Sequence, residues 1–195
     1  MSIPPSPSSA PVGDETGGEV LPAAARAAIL EHLTGKPQKG FPPEVTPYLA
    51  NKSGVFVTLR DKKSGEVKGT CGTIEAETDN LVEETSRNAI RAATEDPDAK
   101  PVKDRRALNR LSIEVCVLGK LERVESIIEL DPEIYGVVLT ATKRGVRGVM
   151  LPNVPELTTV DKQLAEIRRQ AGLRPDERLR IERFRIERFT DEDDA

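Results

Sequence analysis

Residues 54–74 read GVFVTLRDKKSGEVKGTCGTI, and the fold turns on how this stretch is read. The run 54–60, GVFVTLR, is β-branched and aromatic, and 66–74, EVKGTCGTI, has the same strand-like character. The short polar link DKKSG between them ends on glycine, so the stretch predicts a β-hairpin. Side chains alternate along a strand. Val67, Gly69, Cys71 and Thr73 therefore share one face of the second strand, and Lys68, Thr70, Gly72 and Ile74 share the other.

Outward from this hairpin, helices and strands alternate. Upstream, LPAAARAAILEHLT (21–34) places Leu21, Ala25, Ala28, Ile29 and Leu33 along one side and stops at Gly35, a helix with its terminator. Residues 35–53 carry four prolines and read as an extended surface loop. Downstream, DNLVEETSRNAIRAATEDP gives a second helix. Asn80 and Glu83 fit a capping box, Leu81, Thr85, Asn88 and Ala92 recur at helical spacing, and Asp96-Pro97 ends the run. The run 110–124 reads as one long strand with Leu111, Ile113, Val115 and Val117 on one face and Cys116 on the other. Residues 135–152 read as another hairpin, turning near Lys143–Gly145, and a third helix starts at Thr158 or Thr159 and stops at Gly172. The sequence RIERF occurs twice in tandem at 180–189, read here as one charged strand with a bulge near Glu182–Arg183. Antiparallel hairpins and helices without a regular βαβ rhythm give an α+β class, a mostly antiparallel sheet flanked by helices.

Composition bounds the rest. The chain has 195 residues, 37% of them hydrophobic and only 3% aromatic, with no Trp, so the core rests on Val, Ile, Leu and Ala. Residues 1–20 are rich in Pro, Ser and Gly and read as a disordered tail, 21–190 as a single domain with a small lobe, and 191–195 as an acidic tail. No run approaches the ~20 apolar residues of a membrane span, and the start lacks the pattern of a secretory signal, so a cytoplasmic protein is expected. A net charge of −4 speaks against general nucleic-acid binding. Two cysteines and one histidine give no metal-ligand spacing, so no metal or other cofactor is expected.

The chemistry concentrates on 68–73. Gly69 and Gly72 allow close approach to the backbone, and Lys68, Thr70 and Thr73 bring an ammonium and hydroxyls suited to a small anionic or polar ligand. The alternative is a bulged or tightly packed strand, which the motif alone favours. Cys71 has no thiol-activating partner on its own face and reads as a core residue. His32 lies near a helix C-terminus, where a cation suits the dipole. The C-terminal arginines alternate with glutamates and read as a salt-bridged surface. Glu83-Glu84 show no partner that would set their pKa values apart.

The ordered segments GVFVTL, KGTCGTIEA, NLVEETSRNAIRAATEDP, YGVVLT, GVRGVMLP, TTVDKQLAEIRRQAG and RFRIERF together resemble the AMMECR-domain family, closest to its bacterial and archaeal branch, the AmmeMemoRadiSam system protein A. The resemblance spans about 21–190 and implies an α+β fold with a main part, a smaller lobe and a cleft between them. It also implies two partners, a Memo-type protein and a radical S-adenosylmethionine enzyme. The family's Arg-Gly-Cys-Ile-Gly motif, suspected to mark its functional site, aligns with Lys68, Gly69, Thr70, Cys71 and Gly72. Thr70 thus holds the family's cysteine position, and Asp98 and Ala99 stand where members carry Arg and Phe. Asn88, Asp96, Pro97, Arg147, Gly148, Leu151 and Pro152 match the family pattern. The expected ligand site is Lys68, Gly69, Thr70, Gly72, Thr73, Asn88 and Arg147, in a ligand-binding or accessory component with no assigned reaction. The alternatives are a non-catalytic adaptor and, third, an RNA-binding module.

Overall fold

In the computed structural model, which describes residues 18–191, the helix and strand signals become twelve elements. They are α1 (Leu21–Thr34), β1 (Val55–Asp61), β2 (Val67–Gly72), α2 (Leu81–Thr94), α3 (Arg105–Leu108) and β3 (Leu111–Leu118). Then come β4 (Glu122–Arg123), β5 (Gly136–Ala141), β6 (Arg147–Met150), α4 (Val160–Ala171), β7 (Leu179–Phe184) and β8 (Ile186–Thr190). The helix ends follow from their capping residues. Gly35 and Gly172 adopt the left-handed conformation that closes α1 and α4. Asn80 and Thr159 accept the N–H groups of Glu83 and Lys162 at the starts of α2 and α4.

The strands form two antiparallel four-stranded sheets, ordered β2-β1-β3-β8 and β4-β7-β5-β6. The fold is α+β. On the first sheet, Val57, Leu59, Ile113 and Val115 face α1 and α2 and bury Leu21, Ile29, Leu81 and Ala89 between them. On the second, Val137, Leu139 and Ala141 pack with Ile167 of α4. Each fully buried Val, Leu or Ile side chain among these contributes roughly 1.5–3 kcal/mol by leaving water. The second faces of the two sheets turn toward one another, and Leu118, Val138 and Phe184 are buried where they meet.

Two expectations are corrected here. The long strand over 110–124 is broken at Gly119–Leu121, so β3 and β4 belong to different sheets. The single strand expected over 180–189 is likewise broken at Arg185, with β7 in the second sheet and β8 in the first. The five-residue period explains the second break. An odd repeat points equivalent residues to opposite faces of a continuous strand. Changing sheets at Arg185 instead lets Phe184 fill the contact between the sheets while Phe189 packs on the main core. The Gly119 N–H donates to the Arg185 carbonyl at 2.8 Å, tying the two crossings together.

These crossings expose an internal symmetry. The unit hairpin–helix–strand–crossing strand occurs twice, as β1-β2-α2-β3-β4 and β5-β6-α4-β7-β8, and each unit gives its last strand to the other's sheet. The registers agree: Leu59 lies between Gly69 and Ile113 as Leu139 lies between Gly148 and Ile181. Gly65 and Gly145 close equivalent turns by donating to the Asp61 and Ala141 carbonyls. The two hairpins differ by one residue, Lys68, which forms a bulge opposite Leu59/Arg60.

The first described turn, Gly18–Val20, lies inside the stretch read as tail, and residues 1–17 and 192–195 lie outside the described residues. Asp191, read as the start of an acidic tail, accepts the Arg26 guanidinium and the Ile113 N–H. Arg26 also donates to the carbonyls of Leu108 and Leu111, so one side chain joins α1, the end of α3, β3 and the chain beyond β8.

Candidate functional site

Beyond the buried contact at Leu118, Val138 and Phe184, the two sheets part into a cleft. Phe56 of β1 and Val149 of β6 stand in its middle and border a hollow on either side. The first hollow, about 340 Å³, is floored by Thr58, Arg60, Thr70 and Glu114 of the first sheet. Its other wall is Met150 and the segment Leu151-Pro152-Asn153-Val154-Pro155. Asn153 holds φ +59° between its prolines, and its N–H donates to the Pro132 carbonyl at 2.7 Å. Asparagine tolerates this left-handed conformation better than most side chains. The volume falls in the usual range for small-molecule pockets, roughly 300–1,000 Å³. The second hollow, about 530 Å³, is lined by Gly72, Thr73, Glu75, Glu77, Arg91 and Arg147 among others.

The polar groups of the first hollow come from four neighbouring strands. Thr70 pairs with Thr58 and Thr58 with Glu114, which sets these side chains in one row across the sheet. The Thr58 and Thr70 hydroxyl oxygens are 3.3 Å apart. Glu114 meets Arg188 of β8 at 3.4 Å. Arg60 borders the same hollow, and among the described residues it has no carboxylate within ion-pair distance.

The expected site residues divide. Thr70 borders the first hollow; Gly72, Thr73 and Arg147 border the second. Lys68 borders neither, because the bulge sets it apart and its ammonium pairs with Glu66 at 2.7 Å. The same bulge corrects the face assignment, since Val67 pairs with Arg60 and lines the first hollow alongside it. Gly69 is a packing glycine. A Cβ there would lie 2.1 Å from the Ala92 carbonyl oxygen of α2. At Gly72 a Cβ would meet the Phe56 ring at 2.2 Å, so the bare backbone lets this ring lie across the strand.

Thr73 and Asn88 are buried beneath the cleft around a third group, Glu84, whose carboxylate is fully buried. Glu84 accepts the Thr73 hydroxyl, the Thr78 hydroxyl and the N–H groups of Glu77 and Thr78. Asn88 donates to Thr73 Oγ1 at 3.2 Å and to the Val55 carbonyl at 2.9 Å. Burial pushes the Glu84 carboxyl up, but these hydrogen bonds outweigh it and hold the pKa below the ordinary value. The expectation that Glu84 lacks partners is therefore corrected. Its sequence signal was present: Glu84 lies four residues before Asn88, hence on the same helix face.

Neither cysteine is an activated thiol. Cys71 is half-buried against the main core, and burial raises its pKa. Cys116 is on the cleft-facing side of β3 but 1% exposed, and burial and Glu114 push its thiol up to about 12. Thr70 is exposed beside the cleft, as alternation from Cys71 requires. Asp96 secures this edge by accepting the Thr70 N–H at 2.7 Å.

The C-terminal guanidiniums engage neighbouring acids: Arg144 with Glu177, Arg169 with Glu166, Arg180 with Glu182, and Arg183 with Glu122. Sequence reasoning missed Thr58, Arg60, Glu114 and Arg188 because only strand order brings them beside Thr70. Among the described residues no helix is long and apolar enough to cross a membrane, and no group of His, Cys, Asp and Glu could hold a metal ion.

Comparison with known proteins agrees with the fold. A Thermotoga maritima protein is 36% identical over 155 residues, covering 79% of this chain and 85% of that protein. A Clostridium acetobutylicum protein is 38% identical over 167 residues, covering 84% of this chain but only 34% of its own length. The crystal structure of the uncharacterized protein PH0010 from Pyrococcus horikoshii matches with a TM-score of 0.75 at 31% identity, covering 90% of this chain and 91% of that one. The family model described as AMMECR1 matches residues 22–193, and the chain belongs to the AMMECR1 family.

Proposed function

We propose that the protein is a ligand-binding accessory component that takes a small polar or anionic molecule in the cleft between its sheets. One observation carries this reading: Thr70, at the position of the family's suspected functional cysteine, faces a hollow where two hydroxyls, Arg60 and the Arg188–Glu114 pair converge on an apolar wall. An apolar pocket with a few convergent polar groups is what small-molecule sites present. With a threonine in place of the cysteine, the role here is binding rather than thiol chemistry. The work is done beside a Memo-type protein and a radical S-adenosylmethionine enzyme, as the family resemblance implies.

Thermal-shift titration with phosphorylated and carboxylated metabolites, and with S-adenosylmethionine, tests the reading. A ligand should stabilise the wild type and lose its effect in Thr70→Trp, which fills the hollow from an exposed position. No shift from any compound, or an equal shift in both proteins, rejects it.

A second reading, an adaptor, has one observation of its own. Ile128 is 90% exposed and Ile127 49% exposed on a short turn fixed by a Ser126–Glu129 capping box. Under this reading Ile128→Asp abolishes co-elution with the Memo-type protein or the radical enzyme, while Thr70→Trp leaves it intact.

A further inference from the structure

The second hollow differs from the first in its electrostatics. Arg147 of β6 reaches across the cleft and donates from Nη1 to Glu75 Oε1 at 2.8 Å, joining the second sheet to the loop after β2. Its partner is poorly held: the Glu75 side chain is 72% exposed. The Arg147 Nε–H is buried and has no acceptor. A buried donor without a partner costs free energy, and Arg147 is therefore underused in this arrangement. Arg91 of α2 lines the same hollow, its only ion pair among the described residues the exposed contact with Glu95 at 3.3 Å. The Thr73 hydroxyl is committed to Glu84 below and offers nothing upward.

We infer that this hollow is an anion pocket, in which a carboxylate or phosphate of the ligand displaces Glu75 and engages Arg147 through Nη1 and Nη2 together. Planar two-point contact is the geometry a guanidinium favours for such groups. Glu75 occupies the position of the ligand's anionic group and leaves readily, because an exposed ion pair is weak. Phe56 and Val149 border both hollows, so a molecule anchored on Arg147 can reach over them toward Thr70. The inference deepens the cleft reading and rests on it for the remainder of the ligand.

The test follows the side-chain Nε–Hε resonances of arginine in nitrogen-15-labelled protein, at constant ionic strength, during titration with inorganic phosphate or with malonate. Arg147 is assigned by the signal lost in Arg147→Lys. Its resonance should move with saturation, and whichever anion saturates at the lower concentration identifies the chemistry. Glu75→Gln should tighten binding about two- to five-fold by removing the competitor. Arg147→Lys should weaken it by about ten-fold or more, since an ammonium cannot give the forked contact. Glu125→Gln, whose carboxylate pairs with Arg123 away from both hollows, should change little. A linear drift shared by all arginines overturns the inference. So does an equal gain in Glu75→Gln and Glu125→Gln, which would be a general charge effect. Thr70→Trp separates the two proposals: saturable anion binding in that variant keeps the anion pocket even where the metabolite screen fails. Metabolite binding unchanged by Glu75→Gln and Arg147→Lys removes it while leaving the first hollow in place.

Discussion

Glu84 shows how far a single carboxylate can shape this part of the molecule. Fully buried, it stays ionised because two hydroxyls and two N–H groups converge on it, and it thereby fixes the 73–78 loop against α2 below the cleft. Its folded pKa lies below the ordinary carboxyl value, near ~4.3 in an unfolded chain. The stability this provides is complete above the unfolded value and is lost as pH falls through the folded one. Glu84→Gln should therefore cost about 2 kcal/mol at neutral pH. Urea unfolding near pH 7 and again near pH 3 should show the gap between wild type and variant closing in acid. A gap that stays constant would mean the charge is not what matters.

At position 70 the expectation concerns direction rather than energy. In a background with Cys71→Val and Cys116→Ala, the change Thr70→Cys places a thiol on an exposed strand position and should alter stability by no more than about 0.5 kcal/mol. The new thiol should react rapidly with a maleimide in the native state. The wild-type thiols should react only slowly, since one is half-buried and the other is buried with a pKa near 12. Equal rates would show that β2 does not present alternate faces as described.

Among the elements, β2 and β6 carry equivalent glycines under different constraint. A Cβ at Gly69 would lie 2.1 Å from a helix carbonyl, whereas one at Gly148 meets first the Ala171 and Ile167 side chains at 2.7 Å. The closer clash, and the one with a backbone atom, is at Gly69. Gly69→Ala should thus cost more than Gly148→Ala, with overpacking losses of about 1–3 kcal/mol setting the scale. Chemical denaturation of both variants checks the order, and a larger loss at Gly148 would contradict it. Arg26 is a comparable junction. Removing it leaves Asp191 and the Leu108 and Leu111 carbonyls without their donor, so Arg26→Ala should lose about 3 kcal/mol. A loss below about 1 kcal/mol would show that water replaces it adequately.

Over the whole molecule the exchange of strands couples the two units. β8 follows β7 in sequence but completes the first sheet beside β3. Ending the chain after Phe184 should therefore damage the unit remote in sequence. In hydrogen exchange, amides of β3 that pair with β8 should lose protection while those of β5 facing β7 keep theirs. Greater loss in the second sheet would contradict the exchange. The cleft is a product of the same arrangement. It opens where the second faces of two similar sheets diverge, so neither unit contains a complete site.

Local signals determined much of this protein. Glycine and Asn or Thr caps set the helix limits, alternation set both hairpins, and the parity of Thr70 against Cys71 placed one toward the cleft and the other toward the core. These follow from interactions spanning a few residues. The tertiary structure alone decided that RIERF-RIERF changes sheets at Arg185, that Lys68 is a bulge, and that Arg60, Glu114 and Arg188 gather beside Thr70. It also turned Gly69, Asn88 and Glu84 into packing and buried hydrogen-bonding groups. Strand order and the approach of helix to sheet depend on contacts between distant segments, whose free energies no local pattern records.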